Sequence, residues 1–409
     1  MNEMALRNTI SGDRLRSPHW SSRLGYAGLW FLLGALSLLY CMVPAAFGEQ
    51  TPIFLNEPLH LKHRVIPLQG VDAQAIQAQV VAGVTIPLWS GSTVSEGATY
   101  HFFMVGKPPY QASVNETTSV KAPIVNIAFQ FADGTVLDPT AGDSVCSPAG
   151  SPYSLTLASP LFKTHSYTWG GTYVGTTQYV DAFQRANFWA YTRPGSISPS
   201  YHVLLGATQN WIIRVTVPST EGFTKAAPCG RLGVVTFNFW DNVLASVFPA
   251  LNNVGVNSAT FPIFLFHNVI LVDPSTGEAA DGYHGAFLDQ YGYVQTYAVA
   301  EYDTTRISSA TKDVSPLSHE IAEWVNDPLG NNLTPPWGHT GQVSGCQGNL
   351  EVGDPMSGSI TSVTMPNGFS YHTQQLAFFS WFYRGIPSMG VNGWYSNLGT
   401  FTSPPPPCY

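Results

Sequence analysis

The stretch from Ser315 to Pro328, with the sequence SPLSHEIAEWVNDP, constrains this chain more than any other. Either Ser315 or Ser318 suits the N-cap of a helix, because a serine hydroxyl can accept a hydrogen bond from a free backbone N–H. Pro316 suits a first helical turn, where its missing N–H is not needed. Pro328 disfavours helical geometry at Asp327, so the sequence predicts a short helix that ends at about that residue.

On this helix His319 and Glu323 are four residues apart and therefore share one face. Glu320 follows His319 directly and points about a quarter-turn away. The arrangement resembles the zincin helix His-Glu-x-x-His, in which two side chains at i and i+4 hold zinc and the intervening Glu activates the metal-bound water. Here the second ligand position carries the carboxylate of Glu323 instead of an imidazole.

The composition narrows the class of protein. Of the 409 residues only 10% are charged, whereas soluble domains have about a quarter. Glycine (38 residues) and proline (31 residues) are abundant, which favours a turn-rich and strand-rich globular protein. The formal net charge is −8, and no cluster of Lys and Arg could contact phosphates. The composition therefore argues against a coiled coil and against a nucleic-acid partner.

The N-terminus has the pattern of a targeting segment. Four arginines, the last of them Arg23, precede an uncharged run over residues 24–48, and the small residues at its end suit cleavage before Glu49. We predict that residues 1–48 are a cleaved signal peptide. The alternative is a single-pass signal anchor at 24–48, because the run is long enough to span a bilayer. Either form predicts a secreted, periplasmic or cell-surface protein that meets a membrane only through an uncleaved N-terminus.

The cysteines support export. Removal of residues 1–48 would also remove Cys41 and leave four cysteines, an even number that suggests two disulfides in an exported protein. Of the three possible pairings we prefer Cys146–Cys229 with Cys346–Cys408, because each bridge then stays within one half of the chain.

The order of apolar runs predicts the fold class. Short alternating or apolar runs, such as 80–89 and 153–157, predict strands and a β-rich domain over residues 49–225. Residues 226–409 are expected to form a zincin-like domain, in which 282–287 is a turn-like segment. The expected fold class is α+β, with a β-rich N-terminal half followed by a zincin-like half that has a central metal-site helix. One continuous domain is the alternative.

Residues 261–382 also resemble the plant exordium-like (phosphate-induced) secreted proteins and their bacterial relatives. The resemblance rests on an ordered series of segments. It begins with an apolar strand, Gly282-Tyr283-His284 and a second strand. It continues with Ser318-His319-Glu320-x-x-Glu323, Asn326-Asp327-Pro328 and Glu351-Val352-Gly353-Asp354, and it ends with an aromatic segment. It implies a secreted protein with a zincin-like core.

The candidate metal ligands are His319 and Glu323, with a third ligand from farther along the chain. Zinc in catalytic sites has three protein ligands and keeps one position open, and gluzincin-type peptidases take the third from a downstream Glu. Glu351 is our choice, and Asp327 is the competitor. Asp354 would orient His319, because a metal-bound His usually donates its other N–H to a carboxylate. The simpler interpretation is a polar pair on a surface helix followed by turns.

Glu320 is the candidate general base beside a metal-bound water. The simpler interpretation is that Glu320 is a solvated carboxylate on the surface of the helix. His284 and His372 are each an extra ligand, a hydrogen-bond donor to the transition state or a packed side chain, and the aromatic residues near them in sequence favour packing. His267, inside an apolar strand, is expected to lie in the core.

The function that we predict is an exported metal-dependent hydrolase, specifically a zinc metallopeptidase in which Glu320 activates a metal-bound water against a polypeptide substrate. The glutamate at position 323 makes the donor set rich in oxygen, which would suit calcium or manganese better than zinc. The alternative is therefore a non-enzymatic secreted or cell-surface protein. It would have a structural calcium site and a β-rich half that binds an extracellular polymer.

Overall fold

The computed structural model describes residues 61–111, 116–385 and 388–409. The predicted signal peptide or anchor over residues 1–48 lies outside these ranges, as does Cys41. None of the helices within the described ranges combines the length and the apolar character needed to cross a membrane.

Strands and helices alternate irregularly along the chain. In the described residues the strands are β1 (Leu61–Ile66), β2 (Leu88–Ser95), β3 (Ala98–Val105), β4 (Thr117–Phe131), β5 (Val136–Leu137), β6 (His165–Trp169), β7 (Thr172–Thr177), β8 (His202–Val217), β9 (Gly222–Ala226), β10 (Arg231–Thr236), β11 (Ile263–His267), β12 (Val269–Val272), β13 (Ala279–Leu288), β14 (Val294–Tyr302), β15 (Leu333–Thr340), β16 (Val343–Asn349), β17 (Ile360–Thr364) and β18 (Ser370–Gln374). The α-helices are α1 (Ala73–Ala82), α2 (Pro152–Ala158), α3 (Tyr179–Asn187), α4 (Trp189–Thr192), α5 (Phe237–Asn252), α6 (Ser315–Asn326) and α7 (Phe379–Phe382). Short 3₁₀ helices cover Asp354–Met356 and Val391–Gly393.

A mixed sheet of ten strands organises the molecule. Its main path is β5-β4-β11-β14-β13-β12-β10-β9, with β8 paired to β4 and β1 paired to β13. Strands β8, β4, β11 and β14 pair in parallel, whereas β13 runs antiparallel to β14 and β12. The hairpins β2–β3, β6–β7, β15–β16 and β17–β18 form separate two-stranded sheets.

The expected fold class is wrong. Strands make up 39% of the described residues and helices 20%, and the mixed sheet takes strands from both halves of the chain, so within these ranges no separate zincin-like half surrounds a central helix. Strand β4 of the first half pairs with β11 of the second, with Ile124 opposite Ile263 and Val125 opposite Phe264. All four side chains are fully buried, so pairing across the halves removes apolar surface that either half alone would expose.

Helix α6 lies on one face of this sheet and is buried along its whole length. It packs against β13, β14 and β18. Trp324 stacks on Phe261 with ring centroids 3.6 Å apart and donates its indole N–H to Thr296 Oγ1. The predicted bounds of this helix agree with the structure, but the residue at its N-cap is Val314, which forms no side-chain cap.

Three local predictions were wrong. Part of the run 80–89 belongs to helix α1, whose first turn is capped by Asp72. The run 153–157 lies in helix α2, which Ser151 caps and Pro152 begins. In both cases a capping residue ahead of the apolar run favours a helix. The segment expected to be turn-like, 282–287, lies within strand β13.

The structure contains the disulfides Cys146–Cys229 and Cys346–Cys408, which is the pairing preferred from the sequence. The first bridge ties the loop that precedes α2 to the loop between β9 and β10. The second ties the C-terminal tail to β16, a strand that borders the site described next.

Candidate metal centre

Helix α6 places the two candidate ligands His319 and Glu323 side by side. Nε2 of His319 lies 2.8 Å from Oε1 of Glu323 and 3.5 Å from Oδ1 of Asp354. Neither contact has hydrogen-bond geometry, so this buried nitrogen has no hydrogen-bond partner among the described residues. A buried polar atom without a partner is costly, and three ligand atoms around one point would accept a cation.

A glutamine fixes which nitrogen of His319 carries the proton. Gln374 donates its Nε2 to the carbonyl of Gly353 at 2.7 Å, so its Oε1 is the atom that faces Nδ1 of His319 at 3.0 Å. Nδ1 therefore donates, and Nε2 of a neutral ring is left with its lone pair. Gln374 has the orienting role that we expected of Asp354, which instead faces the ligand nitrogen.

The turn that contains Asp354 wraps closely around the helix. The backbone N–H groups of Gly353 and Asp354 both donate to Oε1 of Glu323, at 3.1 and 3.2 Å. A Cβ on Gly353 would lie 2.5 Å from the ring of His319, so only glycine fits there. The side chain of Asp354 is held from the β15–β16 hairpin, because Gln342 and Gln347 both donate to it.

A second group of possible ligands shares Glu323. Ligand atoms of His284, Glu323 and Glu351 all lie within 4.8 Å of one another, and all three residues are buried. Oε1 of Glu351 accepts a hydrogen bond from Asn349 at 3.2 Å. Oε2 of Glu351 is buried and has no hydrogen-bond partner in the described part of the chain.

Glu320 is fully buried between two histidines. Its Oε1 lies 2.8 Å from Nδ1 of His63, and its Oε2 lies 3.3 Å from Nδ1 of His284. Ligand atoms of His63, His319 and Glu320 form a third group within 4.8 Å. A Cβ on Gly282 would lie 2.8 Å from Oε1 of Glu320, so strand β13 makes room for this carboxylate.

Sequence reasoning missed two residues of this site, His63 and Gln374. His63 is a single histidine in the short strand β1, and Gln374 ends strand β18. Neither lies in a recognisable motif. No sequence signal marks them, because each has polar or charged neighbours on both sides.

Asp327 has a structural position. Its carboxylate accepts hydrogen bonds from the backbone N–H groups of Asn331 and Asn332, each at 3.0 Å. Its backbone carbonyl accepts the Nε2–H of His284 at 3.1 Å. It belongs to none of the possible ligand groups that the described residues form.

The other histidines that we considered lie outside the site. His372 contacts Asp313 at 2.5 Å and is partly exposed. His267 is buried in β11, and its Nε2 lies 3.1 Å from Oγ1 of Thr304. A further group of His339, Cys346 and Cys408 has its two sulfurs in a disulfide and so offers no thiolate.

The carboxyls of the centre resist ionisation. Burial, followed by neighbouring carboxylates, raises the pKa of Glu351 well above its ordinary value, and burial likewise raises the pKa of Glu320 and of Glu323. Burial lowers the pKa of His319, but the adjacent carboxylates outweigh it and hold that pKa well above the ordinary value. Burial lowers the pKa of His284 to about 3. The cluster therefore retains protons that a divalent cation would displace.

A polar cavity of about 330 Å³ connects the centre with solvent. It lies between strand β1 and the β15–β16 hairpin, and its lining includes His63, Glu323, Glu351 and Asp354. Three carboxylates and an imidazole of the site therefore border this cavity.

No known protein family, no curated protein and no solved structure matches this chain. The resemblance to exordium-like proteins and to zincin helices therefore stays a prediction.

Proposed function

We propose that this protein is an exported zinc-dependent hydrolase that cleaves peptide bonds, with zinc held by His319, Glu323 and Asp354. One observation carries the proposal. Nε2 of His319 is buried beside two carboxylates, it has no hydrogen-bond partner among the described residues, and the other ring nitrogen is held by Gln374. A second residue that fixes the tautomer in this way is typical of a metal-binding histidine.

The donor set fits a catalytic zinc site. One imidazole and two carboxylates supply three protein ligands, and catalytic zinc sites leave a further position open. Glu323 and Asp354 both line the cavity, so that position would face it. A divalent cation there would polarise a substrate carbonyl and make water more acidic.

The protein's own contribution to catalysis would be proton transfer by Glu320. A carboxylate oxygen of Glu320 lies within 4.8 Å of a ring nitrogen of His319 and of a ring nitrogen of His63. His63 contacts Oε1 of Glu320 and also lines the cavity. We propose that Glu320 accepts a proton at one of its oxygens and that His63 holds the carboxylate in place from the cavity side.

Two observations support export. The arginine-led apolar segment over 24–48 is typical of signal sequences. The two disulfides are typical of an oxidising compartment.

A structural calcium site is the second candidate, because carboxylates outnumber imidazoles in the cluster. Calcium prefers oxygen ligands, whereas the proposed site also presents an unpartnered nitrogen, Nε2 of His319. A calcium-bound protein would be the non-enzymatic secreted or cell-surface protein of the alternative prediction.

The test measures metal content and peptide hydrolysis on the same purified proteins. We expect zinc in the wild type, in Glu320→Gln and in the control His372→Ala, and its loss in His319→Ala. Glu320→Gln should lower hydrolysis of a mixed peptide library by about 10²- to 10⁴-fold with zinc retained. Calcium in place of zinc, or a zinc-loaded wild type that cleaves no peptide, would refute the proposal.

A further inference from the structure

We infer that the centre holds two divalent cations bridged by the carboxylate of Glu323. This inference rests on the proposed function, because one of the two cations is the proposed zinc at His319, Glu323 and Asp354. The second cation would be held by His284, Glu323 and Glu351.

The two oxygens of Glu323 face different ligands. Oε1 lies 2.8 Å from Nε2 of His319 and also accepts the two backbone N–H groups of the 353–354 turn. Oε2 lies 3.7 Å from Nδ1 of His284. Each oxygen of the carboxylate is therefore directed at its own histidine, which is the arrangement that a bridging ligand needs.

Glu351 supplies an independent sign of the second cation. The residue is 2% exposed, and its Oε2 has no hydrogen-bond partner in the described ranges. Its ligand atom lies within 4.8 Å of those of both His284 and Glu323. A carboxylate oxygen buried without a donor costs free energy unless a cation compensates it.

The hydrogen bonds of His284 also support the second cation. Its Nε2 faces the carbonyl of Asp327 at 3.1 Å and must donate there, so Nδ1 of a neutral ring presents a lone pair. That lone pair faces carboxylate oxygens of Glu320 and Glu323, so a proton or a cation must lie between them. A proton shared with Glu320 would serve His284 alone, whereas one cation would serve His284, Glu323 and Glu351 together.

The donor chemistry indicates the kind of cation. Each set combines one imidazole nitrogen with carboxylate oxygens, which suits first-row divalent ions such as zinc or manganese. Two-metal hydrolases hold their ions about 3.5–4 Å apart, a spacing that a shared ligand residue enforces.

The experiment counts zinc bound to the whole protein after chelator treatment and reloading, with His284→Ala, Glu351→Gln and His372→Ala alongside. We expect two equivalents in the wild type and in His372→Ala, and one in His284→Ala and in Glu351→Gln. Glu351→Gln keeps the side-chain volume, so it decides the question if His284→Ala does not fold. One equivalent in the wild type that survives in Glu351→Gln would overturn the second cation and leave the proposed zinc intact. No zinc in the wild type would overturn both.

A spectroscopic measurement tests the bridge itself. Protein loaded with two equivalents of Mn²⁺ should give the electron paramagnetic resonance spectrum of a coupled pair, because a shared carboxylate brings the ions close together. Glu351→Gln should give the spectrum of isolated Mn²⁺. Two uncoupled ions in the wild type would overturn the bridging role of Glu323.

Discussion

The imidazole rings of His63 and His319 stack with their centroids 3.5 Å apart and their planes 16° apart. The contact joins β1, at the start of the described chain, to helix α6. Two stacked imidazoles cannot both be charged without strong repulsion. Burial lowers the pKa of His63 well below its ordinary value, and His319 lowers it further. His63 is therefore the neutral member of the pair, able to donate to Glu320.

Replacing His63 with phenylalanine tests its hydrogen bond apart from its stacking. His63→Phe keeps a flat ring against His319 but removes the contact with Glu320. We expect unchanged zinc content and peptide hydrolysis that is slower by about 10- to 100-fold, the usual effect of losing an outer partner of a metal site. Steady-state kinetics and elemental analysis check this. His165→Phe, a partly exposed histidine on β6, is the control, and an unaltered rate in His63→Phe would contradict the assignment.

Replacing Gln374 with leucine should weaken metal binding. The change removes the acceptor at Nδ1 of His319, so the ring can rotate and either nitrogen can carry the proton. Zinc affinity should fall by about 10- to 100-fold in competition with a chromophoric chelator. The neighbouring Gln375, whose side chain accepts a hydrogen bond from Thr400, gives the matched control Gln375→Leu. Equal affinities in the two variants would show that Gln374 does not orient His319.

Adding one methyl group at Gly353 should disturb the site directly. Its φ of −86° is open to any residue, so Gly353→Ala acts through the Cβ, which would lie 2.5 Å from the ring of His319. We expect a loss of about 1–3 kcal/mol in the free energy of unfolding, together with weaker zinc binding. Urea denaturation with and without zinc measures both. Gly345→Ala, where the added Cβ meets open space, should change stability by less than about 0.5 kcal/mol.

His267 should make the protein less stable in acid. Burial lowers the pKa of His267 to about 4, whereas an unfolded histidine has a pKa of about 6.5. Between these values the unfolded chain binds the extra proton, so the free energy of unfolding falls as pH drops from 6.5 to 4. The difference in pKa corresponds to about 3 kcal/mol.

Urea denaturation at pH 7 and pH 4 measures this loss. His267→Gln should lose about 3 kcal/mol less than the wild type over that interval, because glutamine does not titrate. The exposed His101 supplies the control His101→Gln, which should keep the wild-type dependence. If the wild type and His267→Gln lose the same free energy of unfolding between pH 7 and pH 4, His267 is not a buried neutral histidine.

Helix α6 could be predicted from sequence because its signals are local. Pro316 and Pro328 bracket it, and the spacing of His319 and Glu323 needs only the helical repeat. The apolar run 124–131, which lies in strand β4, is likewise a local signal, because a continuous apolar run is typical of a buried strand.

The partners of that helix could not be predicted, because they come from distant strands. His63 meets Glu320 across 257 positions, and Gln374 meets His319 across 55. Such contacts depend on the order of strands in the sheet, which no periodicity in the sequence encodes.

The error in strand β13 has a physical cause. Gly282 and Gly285 suggested a turn, yet both lie in an extended strand. At Gly282 a Cβ would collide with Glu320, and at Gly285 it would collide with Ile66. Glycine is present at these positions for close packing of neighbours, a reason that sequence alone does not distinguish from turn formation.

The contact between strand β1 and helix α6 also bears on the kinetics of folding. His63 reaches Glu320 only after more than 250 intervening residues have closed into a loop, because the two lie 257 positions apart. Contacts of such long range form late and slow a folding reaction. The site as a whole would therefore be among the last parts to assemble, so metal uptake would report that a newly made chain has finished folding.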